Sequence, residues 1–213
     1  MPKLIAIFTR HCIPMLKLPF FFGLLFLISL ASKAQVADTA LYNKLGNFDL
    51  ASLNGDSYTA LLIGEQILPD TAKLTPGSKV NFYAKLAKTY DEAEQEDKAI
   101  YFYEKVASAA PDYFVVQRAL GILYNAKAEE IQLIMYVTPK TDPAYNQLHE
   151  RYLIAVRKSL PLLEKAQACD PDDDTLDLIH TLYQNIGDDA GYNRFTQRIP
   201  DLAAKCVDLL EDK

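Results

Sequence analysis

A few positions in this 213-residue sequence carry side chains that could do chemistry. His149 opens "HERYL", the first half of an HExxH helix. In such a helix two histidines one turn apart hold zinc and the glutamate serves as base. Here the fifth residue is Leu153, so the second ligand is missing and the stretch reads as a solvated helix turn. "DPDDDTLD" places Asp170, Asp172 and Asp174 at the alternate spacing of a calcium loop. Thr175 stands where the loop needs its turn glycine and Thr181 where it needs a bidentate acid. These acids read instead as caps for a helix that begins near Thr175. Cys169 and Cys206 could pair in an oxidising compartment, or stay two buried thiols on separate helices; neither stands in a C-x-x-C or other nucleophile setting. His180, on an apolar helix face, reads as a packed histidine rather than a ligand. There is no GxGxxG, P-loop or GxSxG. The expectation is a protein that is not an enzyme, with no catalytic residue, no metal and no cofactor.

Charge and composition narrow the partners. Residues 1–34 end in "LPFFFGLLFLISLASKA", an apolar run after Lys17 with Ser32 and Ala34 as small residues before Gln35. A basic start, an apolar core and a small-residue exit are the parts of a cleaved secretory signal, and the run is short for a membrane span. Met15 offers a second, tighter start for that signal. Cys12 precedes the apolar core, whereas a lipid-anchoring cysteine would follow it. The expected location is therefore periplasmic or secreted, with no stable membrane span once the signal is cut. Its removal takes away Lys3, Arg10, Lys17 and Lys33 but no acid, so the formal charge moves from −6 to −10. A chain this acidic, with no basic run, excludes nucleic acid as a partner.

The elements that must position any site are helices. Half the residues are hydrophobic, only eight are glycine, and the segments between breakers are long. Counting Val80 as position 1, Tyr83, Leu86, Ala87 and Tyr90 fall at positions 4, 7, 8 and 11. Ala99, Tyr103, Val106 and Pro111 follow at 20, 24, 27 and 32. The large residues share one face of each helix, the alanines stand where two helix backbones would meet, and Pro111 ends the second helix. The pattern resembles the tetratricopeptide repeat (TPR), a 34-residue helical hairpin. The next unit starts on time at Phe114, with Leu120, Gly121 and Tyr124 at positions 7, 8 and 11. Its second helix arrives late: counting back from Pro171, Ala166, Leu163 and Ser159 take positions 27, 24 and 20. The surplus continues the first helix to about Val137, turns at "TPKTDP" and returns as a long second helix, each arm gaining about 20 Å. Ile131, Ile134, Tyr145, Leu148, Tyr152 and Val156 are placed to pack across it. Pro161 should kink the returning helix.

The last unit starts at Asp173, with Leu176, Ile179, Tyr183 and Gly187 in register. His180 and Tyr192 occupy its two small-residue positions, which predicts a wider, capping hairpin. "IPDLAAKCVDLLEDK" predicts a closing helix over about 200–211, and residues 38–68 a degenerate first hairpin. The expected organisation is a signal over 1–34, hairpins over about 38–68, 78–110, 114–169 and 174–198, and the closing helix.

The resemblance implies an all-α, right-handed α-solenoid of TPR-like hairpins with an extended central hairpin. "SLPLLEKAQACDP" further resembles exported TPR proteins of Gram-negative bacteria. It also implies a groove for a protein or peptide partner, lined by first-helix positions 2, 5, 9 and 12. Here those are Asn81, Ala84, Lys88 and Asp91; Val115, Arg118, Ile122 and Asn125; and Asp174, Asp177, Thr181 and Gln184. Ala84 and Lys88 stand where chaperone-binding relatives clamp a terminal carboxylate, so that clamp is absent. The implied role is an exported interaction module or scaffold. The alternatives are an envelope-assembly component acting through the 125–158 hairpin, and an enzyme or sugar-binding accessory protein.

Overall fold

Five helix starts among the described residues are set by short oxygen-bearing side chains. Asp56, Thr75, Asp142, Asp172 and Asp188 each accept a hydrogen bond from a backbone N–H in the first turn that follows, at 2.8–3.1 Å. Each satisfies a donor that the helix leaves orphaned. The computed structural model describes residues 39–208 and 210. The expected signal and its cleavage point lie outside the described residues.

Among the described residues eight α-helices follow one another: α1 Thr39–Leu53, α2 Ser57–Ile67, α3 Pro76–Glu92, α4 Glu96–Ala109, α5 Phe114–Val137, α6 Pro143–Cys169, α7 Asp173–Asn185 and α8 Asp189–Leu202. A 3₁₀ turn, Leu68–Lys73, links α2 to α3. Helices α3/α4, α5/α6 and α7/α8 pair as hairpins. The pairs stack through their second helices: α2 on α3, α4 on α5, α6 on both α7 and α8. The fold is all-α, a series of TPR-like hairpins with an extended central one. None of the described helices is long and apolar enough to cross a membrane.

Small residues let the backbones close. Ala87 and Ala99 are fully buried where α3 meets α4. Gly121 does the same for α5 against α6: a Cβ there would lie 2.8 Å from the Leu163 side chain. Ser159 Oγ donates to the Gly121 carbonyl at 2.7 Å across that contact. In the last hairpin the rings of His180 and Tyr192 fill the corresponding positions, 4.7 Å apart. The turns also share a register. Gly187, at position 15 of the last unit, has φ +68°, and Glu94, at position 15 of α3/α4, has φ +56°. A left-handed glutamate costs about 1 kcal/mol that glycine would not.

Two apolar clusters result. One runs from Leu41 through Phe48, Phe82, Tyr90 and Phe102 to Tyr124. The other joins Ala128 and Ile131 to Tyr152, Val156, Leu163, Ile179 and Phe195. Phe48 sets its ring edge on Phe82 at 5.2 Å and holds α1 in place.

Two expectations are corrected. The first is the closing helix. α8 itself runs through Pro200 to Leu202, and residues 203–208 are not helical. The tail is held extended instead. The Val207 N–H donates to the Asp112 carbonyl at 2.8 Å, and the Phe114 N–H to the Val207 carbonyl at 3.2 Å, forming a parallel bridge. Helical dihedrals at Val207 would break both bonds. The second is Ile134, which remains half exposed rather than packing across the long hairpin. Ile131 and Met135 already occupy the inward stripe, and Ile134 points to its side.

Candidate functional site

The groove residues expected from the sequence lie on the first helices α3, α5 and α7, and their surroundings differ. Asn81 lines a cleft of about 250 Å³ between α1 and α3, with Tyr42, Asp49, Phe82 and Lys85. Lys85 Nζ closes its rim by pairing with Asp49 at 2.8 Å. Lys88 is exposed and pairs along its own helix with Glu92 at 3.2 Å. Asp91 is half-buried, and burial, with Glu96 and Glu92 nearby, holds its carboxyl above the usual range. On α7, Asp177 and Thr181 are exposed to solvent.

On α5 the candidates divide sharply. Ile122 is half exposed, as is Val115 two turns earlier on the same face. Arg118, between them, is turned to a structural task. Its Nη1 meets Asp170 Oδ2 at 2.8 Å and its Nη2 donates to the Asp170 carbonyl, so it caps the C-terminus of α6. Asn125 is buried and donates to Glu129 at 2.7 Å. Arg118 therefore ties α5 to the end of α6 and Asn125 is bonded along its own helix, while Val115 and Ile122 present apolar surface.

Reading the sequence missed a recurring polar contact at the seams between hairpins. The tyrosine at position 11 of each unit gives its hydroxyl to a glutamate on the second helix of the preceding hairpin. Tyr90 donates to Glu65 at 3.2 Å, Tyr124 to Glu104 and Tyr183 to Glu164. A cation completes each group. Lys98 pairs with Glu65 at 3.3 Å, Lys158 with Glu104 at 3.7 Å and Arg198 with Glu164 at 3.6 Å. Lys98 and Lys158 also lie over the rings of Tyr90 and Tyr124, at 4.8 and 4.6 Å. Burial first, and the glutamate second, push all three phenols up, Tyr90 to about 12. The signal was present: Glu104 and Glu164 both stand at position 25, Lys98 and Lys158 both at position 19.

The innermost of these glutamates sits in a second cleft, of about 530 Å³, between α6, α7 and α8. Arg157, Leu160, Pro161, Tyr183 and Arg198 surround it. Burial raises the Glu164 carboxyl, against the lowering by Tyr183, Arg198 and Arg194. A raised acid stabilises the fold below its unfolded pKa and loses that contribution as pH rises through the folded value. Glu164→Gln keeps an acceptor for Tyr183 and removes the buried charge. The variant should gain stability at pH 7, with the gain vanishing below about pH 4. Urea unfolding at both pH values measures it, and a variant less stable at pH 7 than at pH 4, relative to wild type, would contradict it.

Cys169 and Cys206 are joined as a disulfide, with Cα atoms 5.6 Å apart. The bond ties the tail after α8 to the end of α6, and Lys165 adds to the clasp. Its Nζ donates to the carbonyls of Leu202 and Lys205 and pairs with Asp112 at 3.1 Å. A disulfide fits an oxidising, extracytoplasmic compartment. Of the acids of "DPDDDTLD", Asp170 pairs with the distant Arg118 and Asp172 caps α7, accepting from the N–H and hydroxyl of Thr175 at 2.9 and 2.7 Å.

No protein-family model matches this sequence, and no curated protein sequence matches it. Two solved structures are similar in shape. "MamA MSR-1 C2" shares 16% identity at a TM-score of 0.37, over 78% of this chain and 97% of that one. BtubC (BKLC) from P. vanneervenii shares 17% identity at a TM-score of 0.31, over 78% of this chain and 84% of that one. Scores of this size give no residue correspondence, and the fold assignment stands on the helix pairing itself.

Proposed function

We propose that the protein is an exported TPR-type interaction scaffold that docks a protein or peptide on the face of its first helices. The observation that carries this reading is the pair Val115 and Ile122. They stay exposed on one face of α5, while the opposite face of the same helix is buried in two hairpins. The first helix of the preceding hairpin adds a basic side chain at Lys88 and, toward α1, the cleft at Asn81. An apolar strip with polar flanks is the composition of a docking face rather than of an active site. Export is supported by the signal-like start of the sequence and by the disulfide.

A second reading, an envelope-assembly component acting through the long hairpin, is favoured by apolar side chains at its tip. The two are separated by substitution rather than by trimming 127–157, because Ala128, Ile131, Tyr152 and Val156 belong to the buried core. Tagged protein is captured from its own exporting cells and its companions are identified by mass spectrometry. The face reading expects a companion that V115E/I122E loses and L133E/V137E keeps. The reverse pattern moves the function to the arm. Wild type that captures nothing reproducibly sinks the scaffold reading, and a small-ligand screen follows.

A further inference from the structure

The three Tyr–Glu–cation groups differ in one respect. In the first two the glutamate side chain is about half exposed, 50% at Glu65 and 49% at Glu104, so water serves its remaining lone pairs. In the third the Glu164 side chain is 4% exposed. Its Oε1 accepts from the Tyr183 hydroxyl. No hydrogen bond from the described residues reaches its Oε2, because Arg198 Nη1 stands off at 3.6 Å. Glu164 lines the cleft of about 530 Å³ between α6, α7 and α8. That volume falls in the range of small-molecule sites, roughly 300–1,000 Å³. Arg157, Leu160, Pro161 and Glu164 share one face of α6 at i, i+3, i+4, i+7 spacing, and all four line the cleft. Pro161 has no N–H, so the Arg157 carbonyl lacks the donor that a regular helix would give it. The Arg157 side chain is exposed and has no hydrogen bond or ion pair among the described residues.

We propose that this cleft binds a small zwitterion, an amino acid or short peptide, with its ammonium on Glu164 Oε2 and its carboxylate on Arg157. The cleft is separate from the docking face: Val115 and Ile122 line none of it. A buried carboxylate with an unfilled lone pair is costly, and burial already raises the Glu164 carboxyl. An ammonium supplies charge and donor together in a place shielded from water, where charge-assisted bonds are strong. The Arg157 carbonyl is placed to take a second of its three N–H groups. Charge sets the class of ligand. A plain cation would meet the guanidinium groups of Arg157 and Arg198, and a plain anion would meet Glu164. A zwitterion turned the right way meets neither repulsion. Asp188, the other acid in the lining, is already committed to the Gly191 N–H and to Arg194. Two helical turns set the backbones of Arg157 and Glu164 about 10 Å apart. The long arginine stem shortens that gap to the length of one to three residues, at roughly 3.4 Å each. Leu160 and Ile186 give the cleft an apolar side for an aliphatic side chain. Glutamine at 164 would hold Tyr183 at less cost to stability, but it would not neutralise an ammonium.

Calorimetric titration of the disulfide-bonded chain from Gln35 onward tests this. The probes are leucine, alanyl-leucine, and alanyl-leucine acetylated at its amine or amidated at its carboxylate. Wild type is expected to bind leucine or alanyl-leucine in the micromolar to millimolar range. Capping either end of the peptide should weaken binding about ten-fold. E164Q should lose binding while remaining at least as stable as wild type at pH 7, which separates a lost site from a lost fold. R157A, at an exposed position, should melt with wild type. It should bind the free peptide about ten-fold more weakly and the amidated peptide no differently. Preference for leucine assigns a free amino acid and preference for alanyl-leucine a peptide; either supports the site. A wild type that binds neither at millimolar concentration overturns the proposal. So do capped peptides that bind as well as the free one, and an E164Q protein that binds like wild type.

Discussion

Reducing the Cys169–Cys206 bond lowers the unfolding free energy by about 4 kcal/mol. The two cysteines are 37 residues apart, and chain-entropy estimates for a closed loop of that size give this value. The native state has its own reason to weaken. The disulfide holds the tail where Val207 bridges Asp112 and Phe114 and where Lys165 reaches the carbonyls of Leu202 and Lys205. Without it, those bonds hold an exposed segment of a few residues, which pays full ordering entropy for little burial. The melting temperature should fall by roughly 10 °C on adding dithiothreitol, or in C169S/C206S. Trypsin should cut after Lys205 in the reduced protein well before the oxidised one. A melting curve unmoved by reductant, or two thiols titrating freely in the untreated native protein, would refute the clasp.

How far the fold was legible follows from how local its determinants are. The α3/α4 hairpin is readable because its signals lie within one turn of each other: Ala87 and Ala99 at the crossing, Leu86 and Tyr90 on one face, Pro111 after the end. The long hairpin is readable by arithmetic, since Tyr124 and Ser159 are too far apart for one ordinary unit. The tail was misread because "DLAAKCVDLL" has helical periodicity, and only the distant Asp112, Phe114 and Cys169 make it extended. Pattern cannot report a competitor that is close in space and remote in sequence.

Less of the candidate face was legible, for a related reason. Position in a repeat says which way a side chain leaves its helix, but not what it meets. Arg118 leaves toward the first-helix face and is captured by Asp170, 52 residues later. Lys88 leaves the same way and finds only Glu92 of its own turn. The Tyr–Glu–cation groups were overlooked for the opposite reason. Each joins a first helix to the hairpin before it, so the register connecting Glu104 to Tyr124 appears only when positions are compared across units, not within one.

Gly121→Val should destabilise the protein by about 3 kcal/mol. A Cβ at this position would stand 2.8 Å from Leu163 Cγ and Cδ2 and 3.2 Å from the Leu163 backbone nitrogen. Neither neighbour can yield easily. Leu163 is fully buried among residues of the second cluster, and its nitrogen is part of α6. Relief would require α5 and α6 to separate, and that would stretch the 2.7 Å bond from Ser159 to the Gly121 carbonyl. It would also move Tyr124 away from Lys158, which reaches its hydroxyl from α6 at 3.1 Å. Valine's better helix propensity returns only a few tenths of a kcal/mol. Gly46 in α1 supplies the control, because a Cβ there meets nothing within 4 Å. Gly46→Ala should stabilise the protein by about 0.5–1 kcal/mol from propensity alone. Denaturant unfolding of the two variants beside wild type measures both signs at once. A Gly121→Val protein that unfolds with wild type would mean that α5 and α6 are not in the close contact on which the register of the long hairpin depends.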